Sequence, residues 1–347
     1  MLLALSRREV AVDLGTSNTL VWGRGQGLLL AEPSVVAIDR DTDELIAAGL
    51  EARRMLGRAS SRIGVIEPLR DGVIDDFEAT ALLLRHALRT AVRHRLGVLD
   101  VIVCAPLGVT AVERRAVEEA VRGTGARGVY VMEEPLAAAI GSGLPVAEPT
   151  GSMVVDIGGG TSEIAVVSLG GIVSAESVRV GGRHLDEAIQ AHLQRHHKLA
   201  IGLVTAEELK IEIARAVPEP DQQAEVRGHS IVTGLPRAVV VSGEEIAGAI
   251  SEPLTRIVSA IRRSLERTPP ELAADVMDAG LLLTGGGALL AGLGDRLRAE
   301  LGIPVHLADE PLGAVARGAG MALEEMRAIR RAGSGRSSGW SDSFTSR

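Results

Sequence analysis

Met153-Val-Val-Asp-Ile-Gly-Gly-Gly-Thr-Ser-Glu-Ile-Ala-Val-Val167 sets the terms for the rest of the chain. Two apolar runs rich in β-branched residues flank an acid, three glycines and two hydroxyls, the pattern of a strand, a tight turn and a returning strand. Gly158, Gly159 and Gly160 carry no Cβ, so backbone N–H groups there can approach an anion closely. Asp156 closes the first strand, where a carboxylate suits a hydrated divalent cation. Thr161 and Ser162 add short hydroxyl donors. These parts suit a phosphate and a metal. A glycine hairpin without chemistry has the same pattern, so the stretch taken alone leaves both readings open.

The hairpin has a twin. Val12-Asp-Leu-Gly-Thr-Ser-Asn-Thr19 repeats the order Val-Asp-aliphatic-Gly, then Thr-Ser, between the apolar runs Val10-Ala11 and Leu20-Val21-Trp22. An internal repeat predicts two similar domains facing one another, each presenting its hairpin to one shared phosphate chain. A third glycine turn, Leu283-Thr-Gly-Gly-Gly-Ala288, follows another apolar run and suits close backbone contact with a flat base or sugar.

At 347 residues the chain is long enough for two domains with their own cores. A hydrophobic content of 46% with mean hydropathy of +0.21 excludes global disorder. A net charge of −8 argues against general affinity for nucleic acid or anionic lipid, and aromatics at 1% argue against base-stacking surfaces. Cys104 is the only cysteine, so neither a disulfide framework nor a cysteine metal cluster is expected. The longest uncharged run, Ala279 to Gly294, is glycine-rich and shorter than the roughly 20 apolar residues a span needs. The start is too short for a signal peptide, which predicts a cytoplasmic protein. Met1, Leu2, Leu3 and Leu5 beside Arg7 and Arg8 read either as a membrane-touching foot or as an ordinary hydrophobic start.

Further along, helical spacing predicts a helix from about Asp76 to Arg95, then an apolar loop, Leu96 to Leu99. Thr110 and Glu113 form a capping box. Glu133-Glu-Pro135 lies at a strand-to-helix junction. An acid there is favoured by the helix dipole, and it also suits a carboxylate that orients a water. Gly170 to Val180 reads as a strand pair and Arg183 to Leu199 as a helix. His192, His196 and His197 fall on that helix without an acid to complete a zinc motif, so a solvated face is the plainer reading. Thr205 and Glu208 read as a second capping box, which gives Glu208 a structural job. Glu207 and Lys210 form either an ion pair or a clasp for ribose and base. Ser242 and Glu245 read as a third box.

In combination these residues resemble the MreB/Mbl family of bacterial actin homologues, in the actin/DnaK/hexokinase superfamily, from about Val10 to Ala328. The likeness rests on Asp13-Leu-Gly-Thr-Ser-Asn-Thr19, Glu32-Pro-Ser-Val-Val36, Arg70-Asp-Gly-Val-Ile74, Glu133-Glu-Pro135 and Asp156-Ile-Gly-Gly-Gly-Thr161. It continues through Thr233-Gly-Leu-Pro236, Thr268-Pro-Pro-Glu-Leu272 and Leu283-Thr-Gly-Gly-Gly-Ala-Leu-Leu290.

The resemblance implies an α/β actin-like ATPase fold: two doubly wound domains, each with a smaller subdomain, around an ATP cleft. Domain I is expected over 1–145 (small subdomain about 33–67), domain II over 146–332 (small subdomain about 182–243), and a disordered tail over 333–347. By matching positions, Gly15, Thr16, Ser17 and Asn18 would hold phosphates, as would Gly158, Gly159, Gly160 and Thr161. Asp13 and Asp156 would position hydrated Mg²⁺. Glu134 would orient the attacking water, with Thr161 assisting. Glu207, Glu208, Leu209 and Lys210 would face the adenosine, and Gly285, Gly286, Gly287, Ala288 and Leu289 the nucleotide's other side. Glu208 stands where the family carries arginine, and Arg183 where it carries aspartate. Also implied are weak Mg-ATPase activity, homopolymer filaments, peripheral association with the inner face of the cell membrane and membrane partners in cell-wall synthesis. Two alternatives are a monomeric ATPase of the superfamily and a family paralogue that scaffolds without hydrolysis.

Overall fold

Along the first strand Val10, Val12 and Leu14 alternate with Ala11 and Asp13, and this two-residue period lets one strand serve two packed faces. The computed structural model describes residues 7–92, 98–219 and 222–333. Met1, Leu2, Leu3, Leu5, Leu96, Gly97 and the tail after Gly333 lie outside the described residues. Contacts group the chain into two units: residues up to Glu148 with Leu169–Ile172 and the stretch from Leu312 on, and Pro149–Ser168 with Val173–Pro311.

The first unit runs β1 (Arg7–Leu14), β2 (Asn18–Gly23), β3 (Gly27–Pro33), β4 (Val36–Asp39), β5 (Leu45–Ala48), α1 (Leu50–Met55), β6 (Ile63–Ile66), β7 (Leu69–Arg70), β8 (Val73–Ile74), α2 (Phe77–Val92), β9 (Val98–Ala105), α3 (Ala111–Arg122), β10 (Gly128–Glu133) and α4 (Glu134–Gly141). Its main sheet has the order β10-β9-β1-β2-β3, with β1 parallel to β9 and antiparallel to β2. Val10, Val12, Leu14, Val101 and Val103 pack under Leu83 and Leu84 of α2 and Val117 and Val121 of α3. Segment 33–67 contains a separate sheet, β5-β4-β6, with an apolar cluster of Val35, Ala37, Ala47 and Ala52. Val98 and Leu99, expected in a loop, instead open β9 in register with Arg7 and Arg8, because pairing with β1 extends the strand.

The second unit runs β11 (Ser152–Ile157), β12 (Ser162–Ser168), β13 (Gly171–Val178), α5 (Gly182–His192), a π-helical turn (Leu193–His197), β14 (Leu199–Ala200), α6 (Leu203–Ile213), β15 (Gln223–Ser230), β16 (Pro236–Ser242), α7 (Gly243–Arg267), α8 (Pro270–Ala279), β17 (Leu281–Thr284), a 3₁₀ turn (Gly286–Leu289), α9 (Leu293–Leu301) and β18 (Val305–Leu307). Its main sheet, β13-β12-β11-β17-β18, repeats the order of the first: three meander strands, then two parallel ones. Every residue of β11 and β12 is buried, as strands covered on both faces require. The expected strand pair over Gly170–Val180 is the single strand β13, and the expected helix to Leu199 ends at His192.

The last helix, α10 (Ala314–Gly333), falls within the span 146–332 that the resemblance assigns to domain II. It groups instead with the first unit, packed on α4, β1 and β9. Small residues make this possible. A Cβ on Gly318 would overlap the Ala137 carbonyl, and one on Gly141 would overlap the Ala314 carbonyl. Arg317 Nε donates to the Gly141 carbonyl at 2.6 Å. Gly318→Ala is expected to destabilise the protein by about 2 kcal/mol, because backbone must move to admit the methyl. Gly313→Ala, whose Cβ meets nothing within 4 Å, is the control. Chemical denaturation of the two variants gives the comparison, and equal midpoints would refute the close helix packing.

Candidate functional site

The two glycine hairpins close with the same bond. Gly15 N–H donates to the Asn18 carbonyl at 3.1 Å, and Gly158 N–H donates to the Thr161 carbonyl at 2.9 Å. Asp13 and Asp156 stand two residues before these glycines, near the ends of β1 and β11. The repeat seen in the sequence is thus a repeat of backbone geometry.

Groups from two other motifs, a side chain of one and a backbone N–H of the other, brace the first hairpin. Ser34 Oγ donates to the Gly15 carbonyl at 2.6 Å and lies 2.8 Å from Thr19 Oγ1. Ser34 N–H donates to the Ser17 carbonyl at 2.9 Å. Gly72 N–H donates to Thr16 Oγ1 at 3.0 Å, which leaves the Thr16 hydroxyl proton available to an acceptor. Glu32-Pro-Ser and Arg70-Asp-Gly stand out in the sequence, but that they shape the first glycine turn is not legible there. Ser17 and Asn18 are half-buried.

The N-terminus of α5 docks on the second hairpin. Gly182 N–H donates to the Gly158 carbonyl at 2.9 Å and Arg183 N–H to the Gly159 carbonyl at 2.8 Å. A Cβ on Gly181 would sit 2.5 Å from the Gly158 carbonyl oxygen, so only glycine admits this approach. Ser162 Oγ, predicted as a donor, is spent on the Val180 carbonyl at 2.7 Å. The side chain of Arg183, which stands where an acid was expected, reaches Glu187 at 3.4 Å.

Lys210 Nζ lies 2.8 Å from Asp186 Oδ1 and donates to the Gly182 carbonyl at 3.1 Å. Of the two readings of Glu207 and Lys210 the ion pair gives way: Lys210 reaches across to α5 and pairs with Asp186, which only tertiary packing brings near. The Thr205–Glu208 capping box is also corrected. Helix α6 begins at Leu203 after Gly202, so Thr205 is interior and Glu208 is an exposed mid-helix acid. Glu207 is half-buried, and Leu209 places its side chain in the core.

The third glycine turn closes over the end of β11. Cβ atoms on Gly285 and Gly287 would overlap Ile157, and one on Gly285 would lie 2.6 Å from Asp156 Oδ1. The glycines therefore have a packing reason beyond any ligand. Ala288 is buried, Leu289 is half exposed, and Gly286 opens the 3₁₀ turn. Asp156 is itself buried, with Thr284 Oγ1 donating to its Oδ1 at 2.6 Å. Burial pushes its carboxyl up from 3.8 to about 6, against the lowering effect of that hydrogen bond. A buried carboxylate so incompletely compensated fits a cation. Thr161 is buried beside it in sequence terms, at the close of the same hairpin, and Gly160 is buried with it.

Glu134 is the first residue of α4 and is 7% exposed. Glu133 occupies the N-cap without a side-chain cap bond, and Pro135 takes an early position where its missing N–H costs nothing. Burying an acid at a helix start keeps it close to the positive end of the dipole.

Two mixed sheets of one order, each entered through a glycine hairpin that carries an aspartate, define an actin-like fold. The family model described as MreB/Mbl protein matches residues 7–331. The cell shape-determining protein MreB of Escherichia coli (strain K12) is 50% identical over 325 residues, covering 91% of this chain and 93% of that protein. The cell shape-determining protein Mbl of Bacillus subtilis (strain 168) is 44% identical over 321 residues, covering 92% and 96%. MreB5 of Spiroplasma citri, in crystal structures bound to ADP and to AMPPNP, matches with a TM-score of 0.89 at 34% identity, covering 94% of this chain and 99% of that one. The chain belongs to the MreB/Mbl family of actin-like bacterial cytoskeletal proteins.

Proposed function

We propose that this chain is an ATP-dependent, filament-forming bacterial actin that works at the inner face of the cell membrane to guide wall synthesis and cell shape. The observation that carries this is the paired hairpin, one in each unit, with an identical turn bond and an aspartate at the same offset. Family membership supports it, as do relatives named for cell-shape determination and a relative bound to ADP and to AMPPNP.

Gly15, Thr16, Ser17 and Asn18 take phosphate oxygens on one hairpin, and Gly158, Gly159, Gly160 and Thr161 on the other. Asp13 and Asp156 hold a hydrated Mg²⁺, which screens phosphate charge when bound. Lys210, braced by Asp186, joins Glu207 and Glu208 on the adenosine side with backbone from Leu209. Gly285, Gly286, Gly287, Ala288 and Leu289 line the opposite side. Glu134 accepts a hydrogen bond from the attacking water, and Thr161 helps to place it. Nucleotide then biases the subunit toward the shape that repeats head to tail, an interface that propagates as a filament.

No described helix is long and apolar enough to cross a membrane, so membrane contact in this proposal is peripheral, through Met1, Leu2, Leu3 and Leu5. High-speed pelleting with Mg-ATP, Mg-ADP or no nucleotide, with and without anionic liposomes, tests the proposal. Nucleotide-dependent pelleting is expected, increased by liposomes. A soluble monomer under every condition would overturn the filament.

A further inference from the structure

In the sequence the helix face carrying His192, His196 and His197 reads as solvated, because no acid on the same helix completes a metal set. The fold supplies that acid from α7. Glu245 Oε1 lies 2.6 Å from His192 Nε2 and 2.5 Å from His197 Nε2. The three ligand atoms lie within 4.8 Å of one another, and all three side chains are about one-fifth to one-quarter exposed, at 19%, 24% and 24%.

The backbone around these residues is shaped to bring them together. In an α-helix, residues five apart point about 140° away from each other. Between His192 and His197 the chain forms a π-helical turn, closed by Lys198 N–H donating to the Leu193 carbonyl. The wider turn returns His197 to the face of His192. Such turns are rare and concentrate at functional sites. Lys198 ends the turn in the left-handed region at φ 56°, a conformation disfavoured for a residue with a side chain. Arg237 from β16 donates to the His197 carbonyl at 3.2 Å and holds the turn from outside. His196 stacks on His192 with ring centroids 4.4 Å apart and is exposed.

Glu245 is equally prepared. Its N–H donates to Ser242 Oγ at 3.1 Å, as in a capping box. Its carboxylate does not complete the box but turns to the two imidazoles. The third predicted capping box is thus only half formed, and the freed carboxylate is the ligand that the sequence lacked.

We propose that His192, His197 and Glu245 form a binding site for a zinc-type divalent cation, with two Nε2 donors, one carboxylate oxygen and a fourth position open to solvent. Three N/O ligands with one open position is a common arrangement for this ion. Metal–ligand bonds of about 2.0–2.1 Å place tetrahedral ligands roughly 3.3 Å apart. For the carboxylate oxygen this is a sub-ångström withdrawal from each ring, and the two Nε2 atoms, within 4.8 Å of one another, reach it by side-chain rotation. A bound ion staples the end of α5 to the start of α7. The opposite end of α5 donates its N–H groups to the Gly158 and Gly159 carbonyls, so the staple holds the helix that supports the second hairpin.

The test is calorimetric titration of Zn²⁺ into the tag-free, nucleotide-free full chain, with a thermal melt in parallel. One site per chain is expected. Its Kd should rise at least ~100-fold in His197→Ala and in Glu245→Gln, since losing a direct ligand costs no less than losing its hydrogen-bonded support. His196→Ala should bind as the parent does, because His196 supplies no ligand atom. Zinc should raise the melting temperature of the parent and leave that of Glu245→Gln unchanged. Glu245→Gln keeps the N–H bond to Ser242, so its fold is preserved. Independently of any variant, Co²⁺ on the parent chain should show the intense visible absorption of a four-coordinate N/O site. Zinc binding that is equal in parent and Glu245→Gln, or no stoichiometric binding by the parent, would overturn the site and leave a hydrogen-bonded clamp.

Discussion

Glu134→Ala is expected to lower phosphate release from the polymerising protein by about 10²-fold or more, while nucleotide affinity changes little. Two roles compete for this residue. As a dipole partner at the start of α4, an acid contributes roughly 0.3–1 kcal/mol of stability and nothing to turnover. As the group that orients water, it acts on the chemical step. Its low exposure and its place at the first residue of α4 fit both roles. Only kinetics separates them. Glu134→Gln keeps the shape and removes the charge, so both roles predict a small loss of stability, but only the catalytic one predicts the fall in turnover. Phosphate release at matched polymer mass is the measurement. A rate within twofold of the parent would assign Glu134 to the helix alone.

Asp156→Asn is expected to stabilise the metal-free protein at neutral pH and to abolish metal-dependent nucleotide binding. Asp156 is held near pKa 6 in the fold, compared with 3.8 for an ordinary aspartate, chiefly because burial disfavours its charge. The folded protein therefore keeps this proton when the unfolded chain has already lost it. Below about pH 4 both states are protonated. As pH rises to about 6 the folded state loses stability relative to the unfolded one, by on the order of 3 kcal/mol in total. Asparagine cannot ionise, and its carbonyl still accepts the Thr284 hydroxyl. The stability difference between variant and parent should thus grow from pH 4 to pH 6 and then level off. Denaturation midpoints across this range give the curve, and a flat difference would show that Asp156 is not strained by burial. Mg-ADP should raise the melting temperature of the parent and leave the variant unmoved, because only the parent gains by ionising against a cation.

Much of the candidate site was legible because backbone demands leave local marks. Glycines at 158–160 and 285–287, aspartates closing apolar strands and hydroxyls after the turn each report a local conformation or donor. The fold builds these stretches as tight turns, with Gly158 N–H bonded to the Thr161 carbonyl and Gly285 and Gly287 packed on Ile157, whereas the Ser162 hydroxyl goes to the Val180 carbonyl. The errors have a common source. Helix spacing allows Glu207 and Lys210 either to pair or to clasp a ligand, yet Lys210 pairs with Asp186 on another helix. Thr205 and Glu208 fit a capping pattern, but the helix had already begun at Leu203. Val98 and Leu99 carried no turn residue of their own, and the parallel partner β1 drew them into a strand.

Two copies of a glycine hairpin dictate two similar α/β units, and family motifs spread over most of the chain identify the fold. The sequence by itself can do so because strand period, turn chemistry and glycine placement are properties of a few adjacent residues. Tertiary structure alone decided that α10 packs with the first unit, that Ser34 and Gly72 brace the first hairpin, that Asp186 holds Lys210, and that Glu245 meets His192 and His197. The partners in these contacts lie tens of residues apart or more along the chain. An amphipathic pattern specifies which face of an element is buried but not which element covers it. That choice rests on shape, such as the small residues that let α10 approach α4, and on polar groups that burial forces to find partners.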